Sequence, residues 1–269
     1  MVIAAWTFAI ALLAATASLC RDADPVVRML ALVLATFLGM KVVVYRAARA
    51  DGAPRLPPAR WACYLVWFGM NPRAFARRSA HPRDGVRRLA GRGLRNALLG
   101  AAAIFAARSL ATTWATPLLM VGLSLVVHFG LFTLLAALLR ARGFAVPLLF
   151  DAPWRARSAA EFWAVRWNRG FAEMTAIAVQ RPLARRMGRD RALLVSFLVS
   201  GLLHEVAISA PVDAGYGLPT AYFVLQGLVQ RRQADRPSRL STLVAIALPL
   251  PLVFHPWFVA GVVVPLLGA

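Results

Sequence analysis

The sequence predicts an all-α, polytopic membrane protein of about eight membrane helices, with shorter re-entrant or interfacial helices between them. Composition, the spacing of apolar runs and the placement of arginine each lead there. The chain is 60% hydrophobic and only 16% charged, with a mean hydropathy of +0.64. Soluble domains average roughly 45–50% apolar and about 25% charged residues. The formal charge of +20, from 31 basic and 11 acidic residues, would suit a nucleic-acid binder. That class is excluded because the basic residues sit in a few loops between apolar runs, as the positive-inside rule expects.

Runs long enough to cross or nearly cross a ~30 Å hydrocarbon core cover residues 2–19, 26–45, 94–107, 117–139, 192–211, 218–229 and 240–254, with a short tail at 257–267. The first run has no positive leader, and Ala17-Ser18-Leu19 before Cys20 is a poor lipoprotein cleavage site, so it reads as a retained span. Residues 61–70 and 144–150 are too short to span and read as re-entrant pieces, tolerated at depth only where protein covers them. Residues 46–95 carry twelve arginines, 140–191 eleven and 231–239 four, whereas 21–25, 108–116 and 212–217 carry one, one and none. Placing the first set in the cytoplasm is consistent at every crossing, with both termini cytoplasmic. Residues 1–269 read as a single membrane domain. The abundance of Ala and Arg, with Lys41 as the one lysine, points to a GC-rich bacterial genome and hence to a bacterial cytoplasmic membrane.

The run from Ser158 reads as an amphipathic helix. Ser158 and Glu161 fit a capping box, and Trp163, Trp167, Phe171, Met174 and Ala178 form an apolar stripe opposite Arg166, Arg169 and Glu173. Such a helix is expected to lie in the interface with its aromatic face toward acyl chains, ending at Pro182. Asn168 lies off both stripes, beside Ala164, Ala172 and Thr175.

His204 lies roughly 18 Å into its span at 1.5 Å per residue. An ionisable group at that depth is a functional candidate by default. Its helical face carries Phe197, Ser200, Gly201 and Ala207, small enough in part to leave a cleft. The competing reading is an interhelical hydrogen bond. Glu205 projects elsewhere and reads as structural. His128, with Ser124 one turn away, reads equally as packing or as function, and His81 and His255, each before a proline, read as structural. Arg155, Arg157, Arg166, Arg169, Arg181, Arg185 and Arg186 crowd the amphipathic helix. They suit anionic lipid headgroups or a phosphorylated substrate. Cys20 and Cys63 have no ligand spacing, and no metal or nucleotide motif is present.

SAAEFWAVRWN (158–168) followed by FLVSGLLHE (197–205) resembles the membrane-bound O-acyltransferases, in particular their wax-synthase-like branch. WFGMNPRAF (67–75), LLFDAPWRARS (148–158), LPTAYFVLQG (218–227) and LVFHPWFV (252–259) agree, so the likeness runs over residues 61–269. The chain is short for that family, so one or two N-terminal helices of its relatives are expected to be missing. Gln226 stands where that branch usually has histidine.

The resemblance implies helices around an intramembrane chamber and transfer of a fatty acyl group from acyl-CoA to a lipophilic alcohol. His204 would be general base and Asn168 the oxyanion or thioester partner. Arg155, Arg157, Trp163, Arg166, Trp167, Arg169, Ser200 and Gly201 would contact substrate. No metal and no cofactor beyond acyl-CoA as co-substrate is implied. The partners expected are acyl-CoA, the alcohol and membrane lipids, with no nucleic acid. Acylation of a glycan or metabolite hydroxyl, and a small transporter or lipid-binding scaffold, are the alternative readings.

Overall fold

A computed structural model describes residues 2–78, 85–233 and 238–268, and every described element is helical or irregular. His81 lies outside the described residues. Helix α1 is Val2–Leu19, α2 Pro25–Ala50, α3 Pro58–Val66 and α4 Val86–Ala107. Helix α5 is Thr112–Ala141, α6 covers 159–166 and α7 covers 169–187. Helix α8 is Arg189–Val212, α9 Leu218–Arg232, α10 Arg239–Val253 and α11 Pro256–Leu267.

Helices α1, α2, α5 and α8 are long and apolar enough to cross a membrane, and α10 with α11, bent by 65°, adds a fifth if taken as one span. With Ile3, Phe8 and Ile10 of α1 and Leu30, Leu34 and Leu38 of α2 exposed, the chain is an integral membrane protein. Of the about eight expected, these four or five stand out by length and hydropathy. Helix α4 carries Arg87, Arg88, Arg92 and Arg95 in its first half, and α9 has only 15 residues.

Helices cross closely where a side chain is missing, since lipid supplies no hydrophobic drive between spans and contact must come from packing. A Cβ on Gly100 of α4 would meet the Gly122 carbonyl oxygen of α5 at 2.6 Å, and one on Gly201 of α8 would meet Thr220 Cα of α9 at 2.6 Å. Gly201 therefore serves helix contact rather than opening a cleft beside His204.

The predicted continuous helix from Ser158 is broken. Trp167 is extended (φ −115°, ψ 123°) and Asn168 is left-handed (φ 44°, ψ 57°), so α6 ends and α7 begins across them. A break inside the fold needs its backbone groups met, and residues 149–151 do so. Asp151 N donates to Arg166 O at 2.9 Å, and Arg169 N to Leu149 O at 2.9 Å. The short apolar run at 144–150, expected as a re-entrant piece, is the segment that stitches this break.

Pro182 does not end α7. The turns before it widen to i→i+5 bonds over Ala176–Gln180, which accommodates the missing proline N–H, and the helix stops at Gly188 (φ 83°). At the start of α6, Ser158 Oγ accepts from Glu161 N at 3.1 Å, but Glu161 Oε2 returns to Arg157 N, at 2.8 Å, one residue before the expected capping partner. The Arg157 amide and then the Arg166 guanidinium hold the Glu161 carboxyl below its ordinary pKa.

Candidate active site

The aromatic stripe faces protein, not lipid. Trp163 packs edge-on to Phe197 and Tyr222 and tilted against Phe223, with centroids at 6.2, 6.3 and 5.6 Å. Trp167 meets Phe150 edge-on at 5.0 Å and His128 at 5.8 Å. The reason is the break: once Trp167 is extended, α6 and α7 each turn their rings inward against α5, α8 and α9. Between them lies a cavity of about 440 Å³, lined by α6, α7, α8 and α9 and by Asn71.

His204 and Asn168 both line this cavity, as do Trp163, Trp167, Arg169 and Ser200. The imidazole sits between Phe223, centroid 4.1 Å away, and Phe171 at 5.3 Å. Its Nδ1 lies 2.7 Å from the Ser200 carbonyl oxygen. A carbonyl can only accept, so Nδ1 carries the proton and the neutral ring keeps a bare lone pair on Nε2. Nε2 has no hydrogen-bond partner among the described residues. Immediately after His204 the helix widens to i→i+5 bonding over Glu205–Ser209, a distortion that recurs at functional sites in helices.

Asn168 caps α7: its Oδ1 accepts from Phe171 N at 3.2 Å. A backbone N–H must meet the oxygen, so the amide's orientation is fixed and its two N–H donors remain uncommitted. The residue it caps is Phe171, which packs on His204, so the Asn168 cap also seats one wall of the imidazole.

The other arginines separate. Arg166 is paired with Glu161 at 2.6 Å and donates to Asp151 O at 3.2 Å, off the cavity. Arg155 and Arg157 are exposed and also lie off it. Arg169 borders the cavity, 3.7 Å from Glu173. The structure adds Asn71, Gln180, Arg181, Phe223 and Gln230 to the lining. Arg181 was already one of the clustered arginines, and Asn71 had a local signal, a polar residue before proline ending a short apolar run. The rest needed the tertiary arrangement.

One oxygen of Glu205 is fully engaged: Oε1 accepts from Gly217 N at 3.0 Å, Thr220 N at 2.9 Å and Thr220 Oγ1 at 2.7 Å, while Oε2 is buried without a partner among the described residues. It caps the N-terminus of α9, where a carboxylate is favoured by the helix dipole. His255 is fully buried; its Nδ1 accepts from Phe258 N at 3.1 Å to cap α11, and Nε2 lies 3.4 Å from Ser209 Oγ. His128 bonds Ser124 Oγ through Nδ1 at 3.1 Å and stacks on Phe150 at 4.4 Å. Gln226, fully buried, accepts from Trp163 Nε1 at 3.3 Å and donates to Ala245 O at 2.9 Å, tying the cavity wall to α10. Among the described residues no three His, Cys, Asp or Glu side chains form a metal-binding group.

Residues 146–226 match the model of the membrane bound O-acyl transferase family. A long-chain-alcohol O-fatty-acyltransferase of Simmondsia chinensis is 33% identical over 88 residues, covering 29% of this chain and 25% of that protein. A probable long-chain-alcohol O-fatty-acyltransferase 9 of Arabidopsis thaliana is 31% identical over 134 residues, 41% of this chain and 39% of that protein. The matched regions thus span a quarter to two-fifths of these relatives. The matched family segment contains the break at Asn168, the whole of α8 and the start of α9, and through it this chain shows its likeness to the membrane-bound O-acyltransferases.

Proposed function

We propose that the chain is an acyl-CoA-dependent O-acyltransferase that esterifies a long-chain alcohol. One observation carries the reading: a histidine with its Nδ1 proton tied to a carbonyl and an asparagine with its oxygen tied to a helix cap share one cavity. The first offers a base and the second offers donors, the two services an acyl transfer to a hydroxyl requires.

The alcohol O–H gives its proton to His204 Nε2 as the oxygen attacks the thioester carbonyl. General-base help of this kind is worth ~10²–10⁴ in rate. Negative charge gathers on the carbonyl oxygen, where the Asn168 N–H groups would donate to it. The C–S bond then breaks, the ester forms, and the imidazolium returns its proton to the departing thiolate. Nδ1 keeps its bond to Ser200 throughout, and that carbonyl stabilises the imidazolium while the proton is held. The chemistry asks for no metal and no cofactor beyond acyl-CoA. The aromatic walls that Phe171 and Phe223 form around His204 limit the room for water that would compete for the thioester. Either a lipophilic alcohol or a glycan hydroxyl meets the demand for a nucleophile, and the aromatic lining favours the lipophilic one.

The arginine-rich loops are assigned to the cytoplasm, with α4 and α9 crossing beside the four long helices and both termini cytoplasmic. That topology delivers acyl-CoA to the Arg169 and Arg181 side of the cavity. Purified protein in lipid nanodiscs, given radiolabelled palmitoyl-CoA and hexadecanol, is expected to yield labelled wax ester. Release of free fatty acid alone, or no release of coenzyme A, would overturn the reading.

A further inference from the structure

Asn71 repeats, in a different part of the chain, the arrangement seen at Asn168. Its Oδ1 accepts from Arg73 N at 3.0 Å and so caps the short turn Pro72–Phe75. That bond fixes the amide's orientation, and its two N–H donors have no partner among the described residues, while the residue lines the same cavity. Two helix-capping asparagines, from segments about a hundred residues apart, thus present uncommitted amide donors to one space.

The structure invests heavily in holding Asn71 there. Lys41, the one lysine of the chain, is fully buried; its Nζ donates to Tyr64 O at 2.7 Å and Gly69 O at 2.6 Å and lies 3.9 Å from the centre of the Tyr64 ring. Tyr64 in turn donates to Met70 O at 3.1 Å. From the other side Glu173 Oε2 accepts from Met70 N and Asn71 N, both at 3.1 Å. Gly170 allows this approach, since a Cβ there would meet Phe68 O at 2.5 Å. Besides the Tyr64 hydroxyl's second approach, to Lys41 O at 3.3 Å, the bonds of this clamp end on the backbone of residues 64–71 and hold Asn71 in position.

The chemistry nearby indicates what Asn71 holds. Arg169 lies against Glu173, the same carboxylate that accepts from the Asn71 backbone N–H. Asp51 lies 3.6 Å from Arg73 and 3.1 Å from Arg185. It draws the Asn71 turn toward α7 one helical turn beyond Arg181, which also lines the cavity. Asn71 therefore belongs to the cationic side of the cavity, while His204 is enclosed by Phe171 and Phe223. Donors among guanidinium groups suit oxygen-rich acceptors with negative charge, not a fatty chain.

We infer that Asn71 binds the headgroup of the acyl donor, its amide donating to the carbonyl or phosphate oxygens of the coenzyme A part. The inference rests on the acyltransferase reading above. Asn71→Ser tests it, since a serine oxygen keeps the cap while losing the reach into the cavity. Asn71→Asp keeps the cap and removes both donors. Steady-state kinetics varying palmitoyl-CoA and hexadecanol separately are run beside equilibrium binding of coenzyme A itself.

The serine variant is expected to raise both the acyl-CoA KM and the coenzyme A dissociation constant about fivefold to tenfold, the scale of one hydrogen bond to a charged or polar ligand. Its kcat and hexadecanol KM should stay within about twofold on the same scale. The aspartate variant should be weaker still for coenzyme A, and it decides the matter if the serine variant fails to accumulate. Unchanged acyl-CoA KM and unchanged coenzyme A binding in an active variant would overturn the assignment, as would a rise confined to the hexadecanol KM. Wild-type protein that binds coenzyme A in an Asn71-dependent way yet transfers no acyl group would overturn the reaction and keep the assignment. No binding of coenzyme A to the wild type would overturn both.

Discussion

Asn168 serves the fold with its oxygen and is proposed to serve the reaction with its nitrogen, so substitutions can separate the two roles. Asn168→Asp keeps an acceptor for Phe171 N and tolerates the left-handed backbone about as well as asparagine, but it cannot donate. Asn168→Gly favours the φ of 44° and gives up the side-chain cap, for which glycine costs only a few tenths of a kcal/mol. Asn168→Ala loses the cap, about 1 kcal/mol, and adds a left-handed penalty of ~1–2 kcal/mol. Stability should therefore fall in the order Asp, Gly, Ala, with about 2–3 kcal/mol between the wild type and the alanine variant.

If the amide stabilises the developing oxyanion, its loss costs ~3–4 kcal/mol, or about 10²–10³ in kcat. All three variants should then be equally slow despite their different stabilities. If Asn168 only caps α7, activity should track stability and Asn168→Asp should resemble the wild type. Specific activity per mole of folded protein, measured beside thermal unfolding in nanodiscs, distinguishes the two orders. An aspartate variant with more than about a third of wild-type kcat, a loss well under 1 kcal/mol, would refute the donor role.

His204→Ala and His204→Gln should each lower kcat by ~10²–10⁴, with near-normal abundance in the membrane; wild-type turnover in either removes His204 as base. Arg169→Gln and Arg181→Gln together should raise the KM for acyl-CoA more than that for the alcohol. Higher salt should act alike, because exposed phosphate contacts are screened over about 8–10 Å. Equal effects on both substrates would exclude this role. Arg166→Gln, which releases the half-buried Glu161, should instead lower thermal stability by about 1 kcal/mol or somewhat more and leave both Michaelis constants within about twofold, since the pair lies off the cavity. Gly201→Val should destabilise the protein by ~1–3 kcal/mol through the contact with Thr220; a neutral thermal shift would show that α8 and α9 separate freely.

Periodicity and hydropathy made α1, α2, α5 and α8 legible because each is a continuous apolar run whose length the bilayer sets. They failed at Trp167 and Asn168, where a 3.6-residue pattern continues through a break. The stripe of Trp163, Trp167 and Phe171 looks helical, yet it is produced by two separate helices turned toward the same aromatic core. Nothing local reports the partner of that break, because residues 149–151 accept and donate through backbone atoms that carry no sequence signature. The place of His204 inside a helix long and apolar enough to span was legible from the run lengths around it. The fate of Glu205 was legible only as a need for donors, which the N-terminus of α9 supplies. The arginines were legible as a group but not one by one: Arg166 and Arg169 are three residues apart, yet one is spent on Glu161 and the other borders the cavity.

The types of residue found at the site follow from the solvent. Away from water a polar group left unpaired costs several kcal/mol, so a side chain with one polar function must choose between structure and substrate. Glu205 and Lys41 choose structure: the Glu205 carboxylate turns its bonded oxygen to the start of α9, and the Lys41 ammonium lies against two carbonyls and a ring. Asparagine and neutral histidine each carry an acceptor and a donor on opposite ends of a rigid plane. One end can be satisfied by the backbone, as with Asn71 on Arg73, Asn168 on Phe171 and His204 on Ser200, while the other faces the cavity already aimed. Backbone satisfaction also fixes which end points inward: a carbonyl under His204 makes its free nitrogen a base, and an amide N–H under each asparagine makes its free end a donor. The chemistry of the cavity is therefore set by which backbone atom lies behind each side chain, and the break at Asn168 is what places an N–H there.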